Sequence, residues 1–174
     1  MAYRNGTYVA FDGEGEQNPT KGDLRYLGIL RAWQNNNNLD FNFVDSHKKT
    51  YQVRDTSSEA TLKARLRERM ANSKNMLVVV SPDTNYDRGL LNWEVETAVK
   101  EYNLPVIVAY TEYQKIRVVD KAIVEMMPKS IYTEYTKNTG KLCHVAFTKD
   151  EVKKAIAMYS VVSNTYPTSN KETI

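Results

Sequence analysis

Five short apolar runs alternate along the chain with longer segments whose apolar residues recur at helical spacing. The third run, residues 76–80, is continuously apolar, which is typical of a strand covered on both faces. The other four runs are bounded by polar residues and have the length of ordinary strands. The pattern therefore predicts strands over residues 7–11, 40–44, 76–80, 105–110 and 142–147.

The segments between the runs carry the apolar stripes of amphipathic helices. The clearest stripe predicts a third helix and consists of Leu91, Val95, Ala98, Val99 and Tyr102. Further helices are predicted over 24–33, 56–70, 118–127 and 151–161, the second of them opened by a capping box at 56–59. Because alternating strands and helices form βαβ units, we expect an α/β, flavodoxin-like, doubly wound, mainly parallel five-stranded sheet with helices on both faces. Residues 1–162 are predicted to form one domain and 163–174 a polar, frayed tail.

Composition and charge indicate a single domain and limit its possible partners. A length of 174 residues suits one domain, and a net charge of +3 from 24 basic and 21 acidic residues does not indicate a nucleic-acid partner. The densest basic group, Lys63, Arg65, Arg67 and Arg69, is interpreted as the solvated face of a helix. The single cysteine, Cys143, allows no internal disulfide, and no apolar run suits a leader peptide or a membrane span. We therefore expect a cytoplasmic protein without a membrane partner.

Polar residues follow the predicted strands where a ligand would bind. In doubly wound sheets the ligand lies outside the carboxyl ends of the strands, at the point where the strand order reverses. Phe11 and Asp12 end the first run, Asp45 and Ser46 end the second, and Ser81 ends the third. The pair at 45–46 can hold ribose hydroxyls, although an ordinary Asx turn explains these residues equally well. The acidic residues of 12–16 argue against a phosphate-binding loop there.

Glu94 and Glu96 lie in the first turns of the third helix and face different directions. At about 100° per residue, it lies roughly 80° from the centre of the apolar stripe, whereas Glu96 lies roughly 120° away, toward solvent. A carboxylate at the edge of the buried face, near the helix start, can face a cleft at the strand ends. Trp93 points farther from the core than a bulky aromatic residue normally does, which suits a pocket wall or a subunit contact. On spacing alone, the favoured interpretation of Glu94 is stabilisation of the helix dipole.

The serial order of these features resembles the TIR-like proteins of the bacterial Thoeris anti-phage systems, the ThsB group, over roughly residues 6–112. The resemblance implies cleavage of the nicotinamide–ribose bond of NAD⁺, which is a substrate, so no separate cofactor is expected. It assigns catalysis to Glu94. It also implies a cyclic or related ADP-ribose signal that activates a separate effector protein, with self-association as a further possibility. The implied substrate-binding residues are Phe11, Asp12, Asp45, Ser46, Ser81 and Trp93.

The chain departs from many TIR enzymes at two positions. It has Ala10 where they have a serine before the first-strand phenylalanine, and Leu90 where they have a tryptophan four residues before the glutamate. Glu96 is therefore retained as the alternative catalytic carboxylate.

Two other functions fit the same pattern. A TIR-like module that works only by self-association would need no catalytic carboxylate. A receiver-like phospho-acceptor domain would use an acidic pair, an aspartate, a hydroxyl and a lysine at the strand ends. The nearest matches are Asp12, Glu14, Asp83, Thr111 and Lys149. Asp83 and Lys149 lie beyond the ends of their predicted strands, which weakens the receiver hypothesis.

Overall fold

The computed structural model describes residues 4–12, 24–36, 43–45, 58–84, 90–137 and 139–174. The strands are β1 (Gly6–Ala10), β2 (Phe43–Asp45), β3 (Ser73–Val80), β4 (Val106–Tyr110), β5 (Leu142–Ala146) and β6 (Glu172–Thr173). The helices are α1 (Leu24–Asn35), α2 (Glu59–Ala71), α3 (Leu91–Lys100), α4 (Lys121–Met126), α5 (Lys129–Tyr135) and α6 (Lys149–Met158). Among the described residues, no helix combines the length and the apolar character that a membrane crossing requires.

All strand pairs in the sheet are parallel, and the spatial order is β2-β1-β3-β4-β5-β6. The five predicted strands form the flavodoxin-like arrangement, which confirms the predicted fold class, and the two-residue β6 extends the sheet beyond β5. β1 lies between β2 and β3, with Tyr8 beside Val44 on one side and Met76 on the other. The strand order therefore reverses at β1, and the carboxyl ends of β1 and β3 form the switch point of the sheet.

Side chains alternate between the two faces of the sheet, and each face has its own core. Helices α2, α3, α4 and α5 cover one face, where the central strands contribute Tyr8, Ala10, Met76, Val78 and Val80. Helices α1 and α6 cover the other, where the same strands contribute Val9, Phe11, Leu77 and Val79. Both faces are buried, which explains why β3 is apolar at every position from 76 to 80.

Several helix ends differ from the predicted ones. α2 is capped by Ser58, whose Oγ accepts a hydrogen bond from the Thr61 amide at 3.3 Å, so the cap lies two residues beyond the predicted start. The predicted helix over 118–127 is the shorter α4, and the unpredicted α5 follows it. Met127 is extended because the residue before a proline, here Pro128, avoids the helical conformation. The proline therefore divides this region into two helices.

The end of the chain corrects the prediction of a frayed tail. Residues 172–173 pair with Cys143 and His144 of β5, and the Asn170 side chain is 3% exposed. Its amide bonds to backbone groups around β5 and α5, so its polar character satisfies buried partners instead of facing water. Residues 170–174 thus pack at the edge of the sheet.

Two glycines provide a matched test of the backbone. Gly28 is exposed on α1 with nothing within 4 Å of an added Cβ, so Gly28→Ala should stabilise the fold by about 0.5–1 kcal/mol. Gly140 has φ +62°, and its added Cβ would lie 2.6 Å from the Pro167 carbonyl oxygen. Gly140→Ala should therefore destabilise by at least about 1–2 kcal/mol. Urea unfolding measures both changes, and shifts in the same direction would contradict this account.

Candidate functional site

The carboxyl ends of β1 and β3 bring together three of the predicted site residues. Phe11 and Asp12 follow β1, Ser81 follows β3, and all three are buried. The Ser81 amide donates to Thr84 Oγ1 at 2.8 Å, and the two hydroxyls lie 3.1 Å apart, which ties the loop back onto the strand end. Phe11 belongs to the core under α1 and α6, whereas the strand alternation places Asp12 on the side of Tyr8.

Glu94 is buried on α3, with 3% of its surface exposed. The Tyr8 hydroxyl, from the centre of β1, donates a hydrogen bond to Glu94 Oε1. Burial raises the pKa of Glu94 to about 7, while this hydrogen bond and the positive charge of Arg69 on α2 act in the opposite direction. A buried carboxyl group whose pKa is raised to about 7, in the first turn of a helix that packs on the strand at which the order reverses, is a candidate functional group.

Glu96, the alternative carboxylate, lies on the outer side of the same helix. Its side chain is 54% exposed and lies 3.4 Å from Lys100 Nζ in an i,i+4 pair. The helix-face prediction is therefore confirmed as far as burial is concerned: Glu94 faces the interior and Glu96 faces solvent. An exposed ion pair of this kind is screened by water and contributes little electrostatic energy.

Trp93 joins α3 to α2. Its half-buried ring lies 5.2 Å from Lys63 Nζ and 5.1 Å from Arg67 Cζ, and Arg67 makes two hydrogen bonds to Glu101 at 2.9 and 3.0 Å. Two residues of the basic group on α2 therefore contact α3, and the group also faces solvent, as predicted. Trp93 occupies a helix–helix contact within the chain, where cation–π pairing contributes about 0.5–1 kcal/mol.

For two other predicted site residues, Asp45 and Ser46, the structure describes only the backbone of Asp45. Asp45 is the last residue of β2 and pairs with Val9 of β1, so its backbone lies beside the switch point. Its side chain lies outside the described part of the chain, as does Ser46. Asp83 lies in the turn after Pro82, and Lys149 is the first residue of α6, positions that differ from those of a receiver site.

Two titratable residues of β5 are buried in their neutral forms. Burial lowers the pKa of His144 to about 4, and its Nε2–H donates to the Asn170 carbonyl while Nδ1 accepts from the Tyr110 hydroxyl. Burial also raises the pKa of Cys143 to about 12, so this thiol behaves as a small apolar residue, as predicted.

The family model of the Thoeris protein ThsB, TIR-like domain, matches residues 8–116, which is more than half of the chain. The chain belongs to this TIR-like family. The match confirms the resemblance inferred from the order of strand ends, and it supports a role in anti-phage defence. The matched segment of this TIR-like protein begins at Tyr8 and includes Asp12, Ser81 and Glu94, so the whole switch point lies within it.

Proposed function

We propose that this TIR-like protein cleaves the nicotinamide–ribose bond of NAD⁺ and makes a cyclic or related ADP-ribose product that activates a separate effector protein. The observation that carries the proposal is Glu94, a buried carboxyl group with a pKa of about 7 that is hydrogen-bonded to Tyr8 of β1, the strand at which the strand order reverses. Burial outside water strengthens the interaction between such a carboxylate and a developing positive charge.

The chemistry needs one well-placed carboxylate. When the C–N bond breaks, its electron pair leaves with nicotinamide, and the ribose C1′ gains oxocarbenium-like positive charge. Ionised Glu94 would stabilise that charge and hold a ribose hydroxyl. Tyr8 binds Oε1, so Oε2 is the oxygen assigned to the substrate. The oxygen of water, or of a hydroxyl of the same ADP-ribose, then bonds to C1′ and releases its proton to the solvent.

The proposed substrate-binding residues differ in how closely the structure associates them with the strand ends. Asp12 and Ser81 are buried at the ends of adjacent strands, where a ligand of this fold binds. Asp45 and Ser46 are proposed from the position of the β2 end. The rings of Phe11 and Trp93 pack against α1 and α2 respectively, so their proposed contacts with NAD⁺ rest on their positions in the sequence.

The test compares wild type, Glu94→Gln and Glu96→Gln in cells challenged with phage. NAD⁺ and ADP-ribose species are followed by mass spectrometry at equal protein levels. Wild type and Glu96→Gln should give the same new nucleotide, and Glu94→Gln at least about 100-fold less, because the charge-stabilising carboxylate is gone. Glu96→Gln is the matched control, since it removes a carboxylate from the same helix on its exposed side.

Three outcomes would contradict the proposal. A wild-type nucleotide level from Glu94→Gln would exclude Glu94 as the catalytic residue. Loss of the nucleotide only in Glu96→Gln would transfer catalysis to Glu96. Protection by Glu94→Gln with no new nucleotide from any protein would favour the self-association module, in which surface changes near Trp93 abolish protection.

A further inference from the structure

The Tyr8–Glu94 pair connects the central strand β1 with α3 across the interior of the protein. Both side chains are buried, and the residues are 86 positions apart in the sequence. β1 is paired with Val44 on one side of Tyr8 and with Met76 on the other, so the phenol projects from a strand held at both edges. The strand therefore fixes the position of the Tyr8 side chain, whose hydroxyl holds the carboxyl group.

The Tyr8 hydroxyl has a role that packing alone does not explain. The neighbours of Tyr8 on this face of the central strands are the apolar Ala10, Met76 and Val78. Phenylalanine would fill the same volume, and a buried hydroxyl is costly unless it has a partner. The partner here is Glu94 Oε1. A hydroxyl that donates to a carboxylate favours its ionised form, which is the form that stabilises positive charge.

The charged groups packed around α3 act on Glu94 unequally. Arg69, on α2, favours the ionised carboxylate, as Tyr8 on β1 does. The residues of β3 that face α3 are apolar. Glu134 on α5 and Lys137 just beyond that helix pair at 3.1 Å and line the groove that contains Glu96 and Lys100, on the outer side of α3. Burial thus raises the pKa of Glu94, whereas the Tyr8 hydroxyl and the Arg69 charge lower it.

We propose that Tyr8 is a positioning residue for the reaction: its phenol orients the Glu94 carboxyl group and favours its ionised form, which stabilises the positive charge that develops as the nicotinamide–ribose bond breaks. This inference rests on the proposed function of Glu94. It adds a residue on β1 to the catalytic apparatus, although that residue touches no substrate.

The first experiment titrates the Glu94 carboxyl group in the full-length protein with ¹³C-labelled glutamate by NMR, with Glu94→Gln assigning the signal. Tyr8→Phe should raise the midpoint by about one pH unit, since a hydrogen bond to a charged group is lost. Tyr110→Phe is the matched control, because it removes a buried hydroxyl from the same core that bonds to His144. Its midpoint should equal that of wild type.

A second variant preserves the packing at position 8 and changes the hydroxyl in the opposite direction. Site-specific replacement of Tyr8 by 3-fluorotyrosine gives a more acidic phenol, which donates more strongly. The midpoint should then move below that of wild type. An unchanged midpoint with 3-fluorotyrosine or with Tyr8→Phe would overturn the proposal, and the fluorinated protein keeps the test open if Tyr8→Phe does not fold.

The catalytic arm measures the nucleotide formed in phage-challenged cells at equal levels of folded protein. Tyr8→Phe should reduce it about 10-fold or more, whereas Tyr110→Phe should not. A wild-type level from Tyr8→Phe, with none from Glu94→Gln, would overturn the role of Tyr8 and leave the proposed function standing. A wild-type level from Glu94→Gln would overturn both.

Discussion

Glu94→Gln is expected to make the purified protein more stable than wild type above pH 7, although it should remove the nucleotide product. The pKa of Glu94 is about 7 in the folded protein, against an ordinary value of 4.5. Between these two pH values the folded state retains a proton that the unfolded chain loses, so this group makes stability fall as pH rises. A difference of this size corresponds to about 3 kcal/mol above pH 7, and Gln, which is always neutral, avoids it.

The difference in unfolding free energy between Glu94→Gln and wild type reports on Glu94 alone. His144 contributes in the opposite direction, because its pKa is lowered to about 4 and stability is lost as pH falls through the range below 6.5. That contribution is present in both proteins and cancels in the difference. Urea unfolding at pH 5 should show a gain below about 1 kcal/mol for Glu94→Gln, and at pH 8 a gain of about 3 kcal/mol.

Glu96→Gln supplies the control, because it removes a carboxylate from the exposed side of the same helix and should change stability by less than about 1 kcal/mol. A difference between Glu94→Gln and wild type that stays constant from pH 5 to pH 8 would contradict the raised pKa. If the gain is found, the ionised form of Glu94, which is the form that the proposed chemistry uses, lowers the free energy of unfolding of the wild-type protein. A residue selected for packing alone would have no reason to be ionisable, whereas groups with such costs are concentrated at functional sites.

The sheet and the inward position of Glu94 were predictable from local patterns. β3 and β4 are buried on both faces, so their apolar runs are continuous and indicate strands directly. The spacing of the stripe on α3 was enough to separate Glu94 from Glu96, because helical periodicity fixes relative direction without knowledge of tertiary contacts.

The partner of Glu94 could not be read from the same patterns. Tyr8 forms its hydrogen bond across 86 residues, and the contact depends on how α3 packs over β1. The available signal was a tyrosine within a buried run, since its hydroxyl needs a partner. Asn170 was missed for a related reason: a polar segment at the end of a chain usually faces water, and only the tertiary structure shows the backbone groups that it satisfies.

Asn170→Ala is expected to destabilise the protein by about 3–5 kcal/mol, because four hydrogen bonds from the side chain to backbone groups in a largely buried site are lost together. Its Oδ1 accepts from the amides of Lys141 at 2.6 Å and Leu142 at 3.2 Å. Its Nδ2 donates to the carbonyls of Glu134 at 2.7 Å and Lys137 at 2.6 Å. Alanine cannot replace either set, and the backbone groups at the start of β5 and the end of α5 would be left without these partners.

Urea unfolding at pH 7 measures the loss, and hydrogen exchange at the amides of Lys141 and Leu142 locates it. Asn72→Ala is the control: Asn72 is exposed, and its side chain donates one hydrogen bond to the Glu68 carbonyl, so the loss should stay below about 1 kcal/mol. Equal losses in the two variants would contradict the bridging role of Asn170. Faster exchange confined to the amides of Lys141 and Leu142, together with the larger loss, would show that the end of the chain stabilises the sheet, because a frayed tail would produce neither effect.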